Sequence, residues 1–375
     1  MRAGRRSRGG LFVWGWRLKR VGLERRKFLA GAGLAWLNSL TPVGAEKLLA
    51  SEVLFASAYR DQHGNFGVAI LDQAAAIVST HILPARGHGF AVNPRAQWLV
   101  AFARRPGNFA VAMHRHQATE PVVFHTPEDR HFYGHGVFST DGRLLYAAEN
   151  AFATGEGIIG IYDASAGFRR ISEFPSYGIG PHEIVLMPDG RTLCVANGGI
   201  RTHPDQGRQK LNLPTMAPSI ALIETKSGTL LSSHTLTPDL HRLSLRHMAI
   251  DAAHQVWIGG QYEGDILDDV PVLARLDQDR GLVAVELEKR AATALGKYAG
   301  SVAIGHDGGT LAVSSPRSGV IVQLDTKTGK AVNLEFYPGT CGVQALRHGF
   351  VSSSETGRFG KAAHAYSWDN HIVRT

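Results

Sequence analysis

Four histidines stand at matching places along the chain. His88, His135 and His182 are spaced 47 residues apart, and His247 follows 65 residues later. They open short apolar runs: Gly87-His88-Gly89-Phe90, Gly134-His135-Gly136-Val137, Pro181-His182-Glu183-Ile184 and Arg246-His247-Met248-Ala249. Weaker equivalents put Ser301 and Cys341 at the same position. Four imidazoles and a thiol gathered at one point would hold a borderline or soft ion such as Fe, Cu or Zn. A structural reading stands beside this one. Each His can instead bond loop backbone within its own repeat, and descent alone would then multiply it. The pair His131 and His135 has the four-residue spacing of a helical metal site, but Tyr133-Gly134 between them marks a strand start, so that spacing is accidental.

The elements that must position these residues form a repeat. After each start comes a turn (Asn93-Pro94, Asp141-Gly142, Asp189-Gly190, Asp307-Gly308, His348-Gly349), then a second apolar run such as Trp98-Leu99-Val100-Ala101 or Leu193-Cys194-Val195-Ala196. A third run often closes on Asp, as at Asp72, Asp163, Asp277 and Asp325, and a fourth follows. Four strands per unit and a period near 40–50 residues identify an all-β, seven-bladed β-propeller. Polar insertions at roughly 200–218 and 261–271 account for the two longer spacings. Residues 53–83 supply a further unit without a first strand. His371-Ile372-Val373-Arg374 either supplies that strand from the other terminus or completes the seventh blade.

In such a ring the start of each first strand and the end of each second strand meet on one face. Arg60, Arg104, Arg105, Arg201, Arg317 and Arg358 fall in the loops after second strands, together with Glu149, Asn150, Asn197, Gln261 and Glu355. Guanidinium forks suit carboxylate or phosphate, although exposed loops are polar in any case. Like charges at roughly 5–8 Å cost about 2–3 kcal/mol each at an effective dielectric near 20. A bound metal therefore needs an acidic ligand such as Glu183, Glu149 or Glu355, or an anionic co-ligand. An anion, or a metal carried as an anionic chelate, suits the combination better than a bare ion.

The formal charge of +8 is concentrated in one segment. Residues 1–45 carry ten Lys or Arg and one acid, which leaves 30 basic and 31 acidic residues in the remainder. That balance argues against nucleic-acid binding. Leu23-Glu24-Arg25-Arg26-Lys27-Phe28-Leu29 resembles the twin-arginine export motif, and Val43-Gly44-Ala45 offers small residues for cleavage after Ala45. Residues 1–45 are thus expected to be a signal peptide that engages the twin-arginine translocase, with residues 46–375 as the propeller. Periplasmic location follows, with no stable membrane span in the mature form. Cys194 and Cys341 fall in different blades, so no disulfide is expected between them.

Pro188-Asp189-Gly190 with Val195-Ala196-Asn197 resembles the blades of bacterial YVTN-type propellers. The export motif followed by Gly-His-Gly-Phe and Gly-His-Gly-Val-Phe resembles the bacterial domain-of-unknown-function family 1513. The resemblance implies an exported propeller without an assigned activity, found near genes of iron-uptake type. No GxSxG, CxxC, CxxCH or HExxH motif is present. The resulting expectation is a propeller that binds a small anion or metal chelate at a His/Arg-lined mouth, as an accessory in metal handling. A metal-dependent lactonase or oxidoreductase, or a scaffold that docks another periplasmic protein, remains the alternative.

Overall fold

The computed structural model describes residues 54–95, 98–114, 119–277 and 279–375. The proposed signal segment lies outside them. Among the described residues, 28 strands form seven four-stranded antiparallel sheets. In six of the sheets the four strands follow one another along the chain. In the first, the C-terminal strand Tyr366–Arg374 pairs with Phe55–Asp61 and becomes the innermost strand. The ring therefore closes by exchange between the two ends of the chain, which settles the question left open by the sequence. We number this sheet blade 1 and the others 2 to 7 in chain order.

Burial falls off from the axis outward, and side-chain type follows it. Second strands such as Trp98–Ala103 and Thr192–Asn197 are buried on both faces, because a neighbouring blade covers each side. They consequently read as continuous apolar or small runs instead of alternating ones. Outermost strands such as Leu230–His234 and Ala331–Phe336 alternate or are largely exposed. Seven apolar clusters fill the seven seams. One joins Val68 and Ile70 of blade 1 to Leu99 and Val111 of blade 2. The last joins Phe55 and Trp368 of blade 1 to Val351 and Phe359 of blade 7. No seam is left open, so each blade is held by both neighbours.

Turn chemistry fixes the register. Asp141, Asp189 and Asp307 accept backbone N–H bonds from residues two further on, with Gly142, Gly190 and Gly308 at φ +72°, +67° and +68°. The Asp residues that close third strands cap the next turn in the same way, as Asp72 does for Ala74 and Asp325 for Thr328. The insertion at 200–218 carries two short 3-10 turns, Pro204–Gln206 and Leu213–Thr215. A short helix, Lys289–Leu295, precedes the inner strand of blade 6 and buries Ala291 and Leu295.

Candidate functional site

Inner strands aim their histidines at the axis through bulges. Pairing with the second strand shifts between Gly87 and Phe90, Phe132 and Gly136, Pro181 and Glu183, and Leu245 and His247. Each shift contains or adjoins one of the four repeated histidines. Pairing of the closing strand shifts likewise across the residues that include His371. A bulge frees its residue from the ladder and redirects the side chain. Five imidazoles consequently meet in the channel. Ring centroids lie 4.6 Å apart for His88–His371, 4.7 Å for His135–His371 and His182–His247, 4.8 Å for His247–His371 and 5.0 Å for His88–His135. Ligand atoms fall within 4.8 Å of one another in two triads, His88–His135–His371 and His135–His182–His247. His135 belongs to both.

Glycine permits this crowding. A Cβ on Gly89 would lie 2.4 Å from the Gly134 carbonyl oxygen and 2.6 Å from His135 Nδ1. One on Gly134, whose φ is +105°, would lie 2.6 Å from His88 Cδ2. The Gly-His-Gly pattern is thus a packing requirement of imidazoles crowded edge to face.

Two carboxylates stand behind the rings. Asp369 Oδ1 lies 3.3 Å from His88 Nδ1, and its other oxygen is held by Arg86 Nε at 2.5 Å and Arg104 Nη1 at 3.4 Å. Glu183 Oε1 lies 3.7 Å from His135 Nδ1, and Oε2 lies 3.4 Å from His247 Nδ1 while accepting the Met248 N–H at 2.9 Å. A carboxylate behind an imidazole fixes its tautomer and leaves the other nitrogen for a ligand. Burial pushes the imidazoles of His88, His135 and His247 down to about 4, 3 and 3, and those of His182 and His371 well below the usual range. They are neutral at neutral pH and keep their lone pairs. Burial alone would raise Asp369, but His88, Arg104 and Arg86 hold it below the usual carboxylate range, whereas burial raises Glu183.

Above the rings lies a vestibule of about 80 Å³, with His88 and His182 on its wall beside Arg104, Arg105, Arg208 and Arg246. Arg246 reaches Glu263 at 3.3 Å and Arg104 shares Asp369.

The sequence-predicted residues divide between several places. His88, His135, His182 and His247 come together, and Arg104 and Arg105 line the vestibule. Cys341, Arg60 and Glu355 instead line a separate cleft of about 270 Å³ on the other side of Asp369, where the Cys341 thiol donates to the Gly339 carbonyl at 3.2 Å. Burial raises that thiol to about 12, and Cys194 is a free buried thiol in blade 4. Arg317 stacks over Tyr298 and Arg358 over Tyr337, while Arg201 is exposed. Glu149, Asn150 and Asn197 do not face the mouth. Glu149 is fully buried against the Tyr162 hydroxyl at 2.5 Å and Arg170 at 2.9 Å. Asn150 bonds His131, and Asn197 bonds Ser176. Their backbone is the end of a second strand, so alternation turns these side chains into the blade seams instead of the loop.

His371, Asp369, Arg86, Arg208 and Arg246 were missed as site residues. His371 carries no flanking Gly-His signal, and only recognition of the exchanged strand could have placed it. Arg246 directly precedes His247 and was visible in the repeat alignment as part of the strand start.

The fold and site define a class: a seven-bladed propeller whose channel holds a cage of imidazoles beneath an arginine-lined vestibule. Comparison with family models matches residues 81–375 to the family described as "Protein of unknown function (DUF1513)". The chain belongs to that family. Comparison with curated proteins yields no match. Among solved structures, the chain is similar to Kuenenia stuttgartiensis hydrazine synthase, with TM-score 0.60, 14% identity and coverage of 79% of this chain and 91% of that one. It is also similar to the Myceliophteria thermophila Cps50 (Swd1) β-propeller domain, with TM-score 0.56, 10% identity and coverage of 80% and 92%. At these identities the likeness speaks for the fold alone.

Proposed function

We propose that this chain binds a transition-metal ion in the imidazole cage of its channel, as an exported protein of periplasmic metal handling. The observation that carries the reading is a set of buried ring nitrogens with neither a hydrogen-bond partner nor a carboxylate behind them: His135 Nε2, His182 Nδ1 and His371 Nε2. Buried polar atoms are costly to leave unpaired. A structural histidine in the same blade looks different. His131 Nδ1 faces the Phe132 carbonyl at 2.9 Å and its Nε2 faces Asn150 at 2.9 Å, so both nitrogens are satisfied. Imidazole donors with Asp369 and Glu183 behind them suit Zn, Cu or Fe. The vestibule is too small for a preformed chelate of drug-like size, which needs roughly 300 Å³ or more, so the ion itself is the favoured cargo. His88 and His182 border the vestibule, which also leaves a metal-dependent enzyme as a second reading, since catalytic sites keep an open position.

The test is metal analysis of mature protein recovered from the periplasmic fraction. About one Zn, Cu or Fe per chain is expected, lost in His135→Ala and His371→Ala and kept in His131→Ala. Recovery of metal-free wild type that also fails to take up these ions from micromolar solution would sink the reading. Absence of the chain from osmotic-shock fluid would sink the periplasmic assignment alone.

A further inference from the structure

We propose that the vestibule is a binding site for one small oxyanion of the carboxylate or phosphate class, held by Arg105, Arg208 and Arg246 above the imidazoles. This extends the metal reading to the ligand that accompanies the ion, and depends on it only for that last step.

Charge is the first argument. Four guanidinium groups line a space of about 80 Å³. Of their two carboxylate partners, Asp369 is shared by Arg104 with Arg86 and His88, and Glu263 is shared by Arg246 with Lys210. Among the described residues, Arg105 and Arg208 pair with no carboxylate. Arginine does not relieve such crowding by losing its proton. Burial lowers the Arg105 guanidinium from its ordinary value, and Arg246, Arg208 and Arg104 lower it further. An anion between these groups removes the repulsion and receives planar N–H forks.

Buried hydroxyl groups are the second argument. Tyr133, 6% exposed, lines the same vestibule, and its hydroxyl faces the neighbouring Thr202 hydroxyl, 2% exposed; the two share at most one hydrogen bond, which leaves one O–H of the pair to donate to an anion. Ser244 is buried in the same lining and accepts from Arg246 Nε at 3.3 Å, which orients that guanidinium. Donors thus surround the space from blades 2, 3, 4 and 5. Size sets the class. At roughly 10–15 Å³ of such volume per water, the vestibule holds about five to eight waters. Phosphate or a short carboxylate fits, and a nucleotide does not.

The test uses the full mature chain treated with chelator, titrated with inorganic phosphate and with oxalate in chloride buffer by calorimetry. One of the two is expected to bind, with affinity reduced at least tenfold in Arg105→Gln and in Arg208→Gln, and unchanged in Arg169→Gln on an outer strand. Arg208 is on an exposed loop, so that variant folds even where Arg105→Gln does not. Binding that survives both substitutions overturns the proposal. Binding seen only after zinc is restored also overturns it, because the anion would then be held by the ion and not by the arginines. Citrate binding as tight as phosphate overturns the size assignment. Loss of metal from His135→Ala with phosphate binding intact separates the two sites.

Discussion

His131 and His135 lie on one strand, four residues apart, and do different work. His131 must be neutral: its Nδ1 donates to the Phe132 carbonyl and its Nε2 accepts from the Asn150 amide. Burial pushes its imidazole down to about 4, against about 6.5 in an unfolded chain. The sign follows directly. Between pH 6.5 and 4 the unfolded chain binds a proton that the folded one refuses, so the contribution of His131 is complete above about pH 6.5 and declines as pH falls. At pH 5.5 the loss is on the order of 1 kcal/mol. Asn150→Asp replaces the amide donor by a carboxylate, lets the ring keep a second proton and removes that loss. Chelator-treated wild type is therefore expected to drop further in Tm between pH 7.5 and 5.5 than Asn150→Asp, by roughly 2 °C. Equal drops would mean that the ring is not held neutral by Asn150.

At the scale of the strand, the bulge and its glycines decide whether imidazoles can meet. Gly89 is hemmed in by the Gly134 carbonyl and His135, so Gly89→Ala must displace the one ring common to both triads. Overpacking of this kind costs about 1–3 kcal/mol. The variant is expected to lose several degrees of Tm and at least tenfold in zinc affinity, while Gly309→Ala, which meets nothing closer than 3.9 Å, changes neither. Unchanged zinc affinity in Gly89→Ala would remove His135 from the site. This scale also shows how far the sequence could be read. Repeats, turn aspartates and four of the five channel histidines follow local rules of period and turn chemistry, and these were legible. The direction of Glu149, Asn150 and Asn197 depends on whether a strand end still belongs to the ladder, which one residue decides. His371 and Asp369 reach the channel only because the last strand crosses to the first blade, and no local pattern carries that information.

At the scale of the whole molecule, closure brings histidines from five separate inner strands to one axis and arginines from three separate blades to one mouth. The chain beyond residue 45 is close to neutral in formal charge, so the positive field at the mouth is local. A bare divalent ion approaching a guanidinium at ~8 Å meets about 1 kcal/mol of repulsion in water. Removing two such charges should therefore speed uptake. For Arg105→Gln/Arg208→Gln, stopped-flow zinc loading is expected to be up to about tenfold faster than wild type at 10 mM salt, with the difference shrinking toward unity at 0.5 M as the Debye length falls. Phosphate in the buffer should speed the wild type and leave the double variant unchanged, because it neutralises the arginines that the variant lacks. Rates that match at both salt concentrations would show that the ion reaches the imidazoles by another path, and the arginine mouth would then have no part in metal traffic.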